Sequence, residues 1–207
     1  MQGTPRGHYF DPRPAARHQR RTVSLILPDV SMELVTDRGL FSPDRIDPGT
    51  SFLLADGPPI PVQATDLLDL GCGYGPIAAT LARRAPGATV WAVDVNERAR
   101  QLCRENVERL GLPDVRVVEP EEVPADVRFD AVWSNPPIRI GKQALHDLLL
   151  GWLARIRAGG ELVLVVHKHL GADSLHRWLA EHGHPTERLG SRGGYRLLRT
   201  VVGRAQP

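Results

Sequence analysis

Two short segments carry residues whose types and spacing suit chemistry: Asp69-Leu-Gly-Cys-Gly-Tyr-Gly75 and Ser134-Asn-Pro-Pro137. In the first, Gly71, Gly73 and Gly75 follow an apolar run, and residues without a Cβ let the backbone turn sharply and touch a ligand at van der Waals distance. In the second, Asn135 Oδ1 and the Pro136 carbonyl offer two acceptors. Pro136 and Pro137 lack N–H groups, and each proline holds its predecessor extended. A rigid strip that is rich in acceptors and poor in donors suits the two N–H bonds of a planar NH2 group. The lone pair of such a nitrogen is delocalised, so the nitrogen is a poor nucleophile. Two acceptors pull it toward pyramidal geometry and aim its lone pair.

The glycine spacing narrows the choice of cofactor. A dinucleotide site reads Gly-x-Gly-x-x-Gly, whereas Pro76 stands at the third position here and Gly75 comes one residue early. Asp69 places a carboxylate beside the loop, suited to a cationic amino group rather than a phosphate, and S-adenosylmethionine carries such an amine. Asp94, 25 residues further on, sits where a carboxylate accepts hydrogen bonds from ribose hydroxyls, with Val95 next to it to pack on adenine and Glu119 or Glu121 to meet the adenine amino group. The pair of motifs thus points to methyl transfer from a sulfonium to an amine nitrogen. That in-line displacement rests on alignment and needs neither a metal nor a strong base.

The elements that must position these residues follow from periodicity. From Thr65 onward, short β-branched runs alternate with helix-length amphipathic runs, which predicts parallel strands with helical crossovers. Strands are expected at 66–70, 89–94, 115–118, 131–134, 161–166 and 195–202. Helices are expected from Pro76 to Arg84, from an Asn96 cap to a stop at Gly111, along the stripe Leu145 to Ile156 ending at Gly159-Gly160, and from an Asp173 cap to Gly183. Upstream, 22–27 and 33–36 read as short strands, and Asp47 caps a brief helix through Leu54.

The chain has 207 residues and is 42% apolar, enough for one well-buried core. Three parts are expected: an Arg/Pro-rich flexible arm (1–21), an extension packing on the catalytic domain (22–60), and the catalytic domain itself (61–207). Residues 1–22 hold five Arg against Asp11 and residues 186–207 five Arg against Glu187, so each end carries +4 in a chain of net +2 and the middle is negative. Lys occurs only at 142 and 168, and Arg-rich ends suit a polyanion. No apolar run is long enough to span a bilayer and no secretory signal region is evident, so a cytoplasmic location is expected, with Cys72 and Cys103 reduced. The histidines between 167 and 184 lack the one-face pairing of a zinc site, and no metal is expected.

Four segments, Thr36-Asp-Arg-Gly-Leu-Phe-Ser42, Ile46-Asp-Pro-Gly-Thr50, the glycine loop and Asn135-Pro-Pro-Ile-Arg-Ile-Gly-Lys142, occur in the order seen in class I S-adenosylmethionine-dependent methyltransferases. Within that class the chain resembles the small-subunit ribosomal RNA guanine-N2 methyltransferases over nearly everything after the arm. The resemblance implies an α/β, Rossmann-like fold with a seven-stranded, mostly parallel sheet, helices on both faces and a short N-terminal extension. The last strand would be antiparallel. It also implies Asn135, Pro136 and Pro137 at the target base, Asp69, Gly71, Gly73, Gly75, Asp94, Val95, Glu119 and Asn135 around the cofactor, and ribosomal RNA or the small subunit as partner. Many amine methyltransferases carry an aromatic after the second proline; here Ile138 stands there, so stacking must come from elsewhere, with Phe41, Tyr9 and Phe10 as candidates. Ile138, Arg139 and Lys142 follow the motif where the base and RNA phosphates would pass. The acceptor strip by itself fits guanine N2, adenine N6 or a glutamine amide of a release factor, and a binding module without catalysis is the non-enzymatic alternative.

Overall fold

The computed structural model describes residues 20–37 and 45–203. Most of the expected arm, with Tyr9 and Phe10, lies outside the described residues, as does Phe41. Arg20 and Arg21 open the first strand instead of closing the arm.

The described chain begins with an antiparallel hairpin, β1 (Arg20–Ile26) and β2 (Ser31–Asp37), followed by α1 (Pro48–Asp56). The α/β unit then runs β3 (Asp66–Leu70), α2 (Pro76–Arg84), β4 (Thr89–Val93), α3 (Glu97–Arg109), β5 (Val115–Val118), β6 (Phe129–Ser134), α4 (Lys142–Leu153), β7 (Ile156–His167), α5 (Ala172–Glu181), β8 (Thr186–Arg192) and β9 (Tyr195–Val201). Its seven strands among the described residues lie in the order β5-β4-β3-β6-β7-β9-β8. Neighbours from β5 to β7 are parallel, and β9 is antiparallel to both β7 and β8. This is the Rossmann-like sheet that the resemblance implies.

Both faces of this sheet are covered, so its inner strands are apolar at nearly every position. Leu67, Ala131, Trp133 and Val163 pack with α1, α2, α3 and the hairpin on one face. Leu68, Val132, Leu162 and Leu164 alternate with them and meet α4 and α5 on the other. Among the described residues no helix is long and apolar enough to cross a membrane.

The helix starts obey their local signals. Asn96 accepts hydrogen bonds from the Arg98 and Ala99 N–H groups, and Asp47 accepts one from Thr50; caps of this kind are each worth about 1 kcal/mol. Pro76 opens α2 where its missing N–H is harmless.

Four expectations need correction. First, α4 stops at Leu153, and Ile156 belongs to β7: the Arg155 carbonyl accepts from Phe129 N and Ile156 pairs with Phe129, so sheet pairing overrides the helical stripe. Second, Gly159-Gly160 is no helix stop. The pair lies inside β7 beside a register shift in β6, where a Cβ at Gly160 would come within 2.8 Å of the Asp130 carbonyl oxygen. Third, the cap of α5 is Gly171; Asp173 sits in the first turn with its carboxylate on Arg188. Fourth, periodicity locates only six of the seven strands that the resemblance implies, and the seventh is β8 (Thr186–Arg192).

The hairpin is tied to α3 by a polar bridge. Buried Asn106 accepts from Val35 N (2.7 Å) and donates to the Val35 and Tyr74 carbonyls (2.8 Å each). The largely buried Arg98–Asp37 pair, at 2.5 Å, reinforces that seam. One amide thereby connects the N-terminal hairpin to the glycine loop.

Candidate active site

The carboxyl ends of β3, β4 and β6 converge at one edge, where ligands collect in open parallel sheets. The Gly71 and Cys72 N–H groups both donate to the Val93 carbonyl (2.8 and 3.0 Å), folding the glycine loop over the end of β4. Asp94 locks it there: one carboxylate oxygen accepts from Gly73 N at 3.0 Å and the other from Asn96 N at 2.8 Å. Burial raises the Asp94 pKa, against the pull of those two backbone donors. Each oxygen keeps a lone pair for a further donor.

Two cavities meet along Gly71 and Pro137. The smaller, about 110 Å³, is walled by Leu70, Val93, Val95, Pro120, Ile140 and Leu148, with Asp94 at its edge. An apolar slot with one carboxylate suits a flat heterocycle bearing a hydroxylated sugar. The larger, about 220 Å³, is lined by Asp47, Thr50, Gly71 to Tyr74, Asn135 to Arg139, His167 and Tyr195, among others.

Asp69, Gly75 and Glu119 line neither cavity. Asp69 is fully buried beneath the loop. Its Oδ2 accepts from Ala78 N at 2.9 Å, its Oδ1 has no partner among the described residues, and burial pushes its pKa up to about 8. Gly75 has φ +90, and a Cβ there would fall 2.7 Å from Cys103 Sγ, so this glycine serves close packing of the loop on α3. The Glu119 carboxylate is bound to Arg100, whose other arm donates to the Asp94 carbonyl at 2.7 Å. Cys72 and Cys103 are both buried and free, and their mutual contact together with burial pushes the Cys72 thiol up.

The acceptor strip has a defined polarity. Asn135 Nδ2 donates to Asp47 Oδ1 at 2.8 Å and to Thr50 Oγ1 at 3.0 Å. A carboxylate only accepts, so the amide nitrogen must face Asp47, and Oδ1 is left as the free end. Pro137, at φ −74° and ψ 70°, forms an inverse γ-turn in which Ile138 N donates to the Pro136 carbonyl at 2.8 Å. That carbonyl retains one lone pair. Ser134 Oγ donates to the Leu70 carbonyl at 2.6 Å and fixes the end of β6 against β3. Ile138 and Arg139 line the larger cavity, whereas Lys142 opens α4 outside it.

Asp47, Thr50, Asn106 and Tyr195 are the site residues that sequence reasoning missed. Asp47 and Thr50 were visible as a helix cap and within one of the segments that carry the resemblance, but with no role at the acceptor site, since nothing local in a sequence pairs them with an asparagine 88 and 85 positions away.

A glycine-looped parallel sheet with an Asn-Pro-Pro strip at its carboxyl edge defines a class I methyltransferase fold. The chain belongs to the methyltransferase small-domain family, whose model matches residues 31–199. It is 33% identical over 195 residues to the uncharacterized protein YbxB of Bacillus subtilis, covering 93% of this chain and 96% of that protein. It is 35% identical over 153 residues to ribosomal RNA small subunit methyltransferase C of Pseudomonas putida, covering 70% of this chain and 45% of the relative. The chain thus spans about half the length of the ribosomal RNA methyltransferases it matches. Among solved structures, a T. thermophilus 16S rRNA N2 methyltransferase (RsmC) in complex with AdoMet and guanosine superposes with a TM-score of 0.76. That match has 24% identity and covers 92% of this chain and 52% of the other.

Proposed function

We propose that this protein methylates an exocyclic amine of RNA, guanine N2 of small-subunit ribosomal RNA, with Asn135, Pro136 and Pro137 forming the acceptor site. The observation that carries this reading is the pinning of Asn135 Nδ2 on Asp47 and Thr50, which commits Oδ1 to an incoming N–H donor. The Pro136 carbonyl, with its remaining lone pair, takes the second N–H. The names of the ribosomal RNA relatives and the guanosine in the matched complex favour RNA over a protein amide.

The residues present fit S-adenosylmethionine. The positive φ of Gly71 (+78) and Gly73 (+57) lets the loop backbone approach a ligand, and a Cβ at Gly73 would point into open space. The apolar slot suits adenine, Asp94 the ribose hydroxyls, and Val95 one face of the ring. The unpaired Asp69 Oδ1 beneath the loop gives the amino-acid end a buried negative charge once ionised. Bound there, S-adenosylmethionine would supply a methyl group on a sulfonium, so that transfer to nitrogen would break the C–S bond and leave its electron pair on sulfur. Asn135 and Pro136 hold the nitrogen in line, and its surplus proton leaves to water. Glu119, engaged by Arg100, contributes at most from the rim. Arg139 at the cavity mouth and Lys142 beside it suit flanking phosphates. We assign residues 22–60 to a docked extension whose α1, with its cap Asp47, supplies the Asp47 and Thr50 wall, and 61–207 to the catalytic unit.

The test is labelled-methyl transfer, run in parallel on small subunits, large subunits, naked ribosomal RNA and a release-factor domain carrying a glutamine. N2-methylguanosine in small-subunit RNA is the expected product. N6-methyladenosine, or label confined to the release factor, overturns the assignment.

A further inference from the structure

A planar acceptor held at Asn135 needs a flat wall, and Ile138, the residue after the prolines, cannot provide one. Among the described residues, two tyrosines line the larger cavity. Tyr74 is only 5% exposed, belongs to the glycine loop and is packed into the core, so it has little ring surface to offer. Tyr195 packs against the same core but is more exposed. It is half-buried at the mouth, and as the first residue of the antiparallel β9 it pairs with His167, the last of β7, so it stands at the carboxyl edge of the parallel strands beside Asn135.

The Tyr195 ring is held on two sides. His167 meets it edge-on, with ring centroids 4.8 Å apart and planes at 81°. Gly49, in the same Asp47-Pro-Gly-Thr turn that pins Asn135, lies so close that a Cβ there would come within 2.6 Å of the ring. A side chain at position 49 would press on both the Tyr195 ring and the Asp47 carboxylate, so one of them or the turn itself would have to shift. The segment that orients the acceptor amide therefore also seats the aromatic. Burial and the neighbouring Asp47 raise the phenol pKa, so the ring stays neutral across the physiological range.

We propose that Tyr195 is the stacking wall for the target base, replacing the aromatic absent at position 138, with His167 as its edge support. This rests on the RNA-amine reading above. Stacking of one base on an aromatic corresponds to a roughly 5- to 150-fold effect on binding. It acts on every base, so Tyr195 grips the acceptor while Asn135 selects the amine.

The experiment measures kcat and KM for unmethylated small ribosomal subunits with wild type, Tyr195→Leu and Tyr195→Phe, together with adenosylhomocysteine affinity and thermal unfolding for each. The expected result is a KM raised about 5-fold or more in Tyr195→Leu, largely restored in Tyr195→Phe, with adenosylhomocysteine affinity equal in all three. An unchanged KM in Tyr195→Leu overturns the proposal, as does a loss in Tyr195→Phe equal to that in Tyr195→Leu, which would assign the role to the hydroxyl. A Tyr195→Leu protein that has lost adenosylhomocysteine binding would mean that the ring supports the fold, and that also overturns it. Failure of the wild type to methylate any RNA removes the underlying reading. RNA methylation by the wild type at a KM that Tyr195→Leu does not alter removes this inference alone.

Discussion

The side-chain amide nitrogen of Asn135 lies 2.8 Å from Asp47 Oδ1, across 88 positions of sequence, and the same oxygen caps α1 by accepting from Thr50 N at 3.0 Å. One carboxylate therefore starts a helix and sets which end of the Asn135 amide faces the cavity. Without it, only the Thr50 hydroxyl holds the amide, and a hydroxyl that can donate as well as accept does not fix which end faces the cavity, so donors can turn toward an incoming amine, the wrong polarity for gripping N–H bonds.

Asn135→Ala removes one of two acceptors and should slow kcat by about 100- to 1,000-fold while cofactor affinity holds. Thr50→Val keeps the Asp47 contact and should cost only about 2- to 10-fold. Asp94→Ala should behave in the opposite sense, weakening cofactor affinity about 10- to 100-fold through lost hydrogen bonds to a charged group. Steady-state kinetics with adenosylhomocysteine titration separates the cases, and equal loss of cofactor binding in Asn135→Ala and Asp94→Ala would refute the assigned roles.

Asn106 predicts a stability effect of a different kind. Asn106→Ala leaves Val35 N–H, Val35 O and Tyr74 O without their shared partner in a buried seam. The expected cost is about 2–4 kcal/mol in urea unfolding. Asn106→Asp should be at least as damaging, because an acceptor then faces two carbonyls. Wild-type stability in either variant would show that the hairpin is not docked through this amide.

Asp69 predicts a pH dependence of unusual sign. Burial raises its pKa from 3.8 to about 8, so the folded protein holds a proton that the unfolded chain releases. Between those values the native state binds more protons than the unfolded state, and ligand-free stability falls as pH rises, by at most about 1.4 kcal/mol per unit from this group. Asp94, also raised, adds in the same direction. Asp69→Asn stays neutral and keeps the acceptor for Ala78 N, so its stability should decline less from pH 4 to 8. A cationic cofactor amine near Asp69 would favour the ionised form, so wild-type affinity for S-adenosylmethionine should climb toward pH 8 and that of Asp69→Asn should not. Identical stability slopes for the two proteins would rule out the buried proton.

Much of the fold was legible because local and tertiary demands agree. The Asn96 and Asp47 caps, Pro76 at a helix start and the apolar strands each satisfy their own neighbourhood and the sheet at once. Legibility failed where a distant partner decides. Ile156 fits a helical stripe, yet pairing with Phe129 of β6 recruits it into the sheet. The β8 strand hides because its residues are mostly exposed at the sheet edge and carry no apolar alternation. Its one sequence signal was Gly193-Gly194, both at positive φ, the two-residue turn that joins Arg192 to Tyr195. At the site, the glycine loop, Asp94 and the Asn-Pro-Pro strip announce themselves by composition. Asp47, Asn106 and Tyr195 do not, since their work lies in contacts with residues far along the chain.

The glycines of the loop give a last prediction, because they are alike in sequence and unlike in space. Gly75→Ala drives a methyl toward Cys103 Sγ at 2.7 Å and imposes a side chain on φ +90. Buried between loop and helix, that methyl has little room to relax, so the variant should unfold at clearly lower temperature whether or not ligand is present. At Gly73 a Cβ meets nothing within 4 Å, and only the backbone preference at φ +57 opposes it. Gly73→Ala should therefore lose about 1 kcal/mol of stability but much more of its affinity for adenosylhomocysteine, since the new methyl points into the space assigned to the ligand. Calorimetric unfolding and ligand titration on both variants make the comparison. If Gly73→Ala bound ligand like wild type, the loop's second glycine would be a turn residue alone, and the cofactor would have to lie elsewhere along the sheet edge.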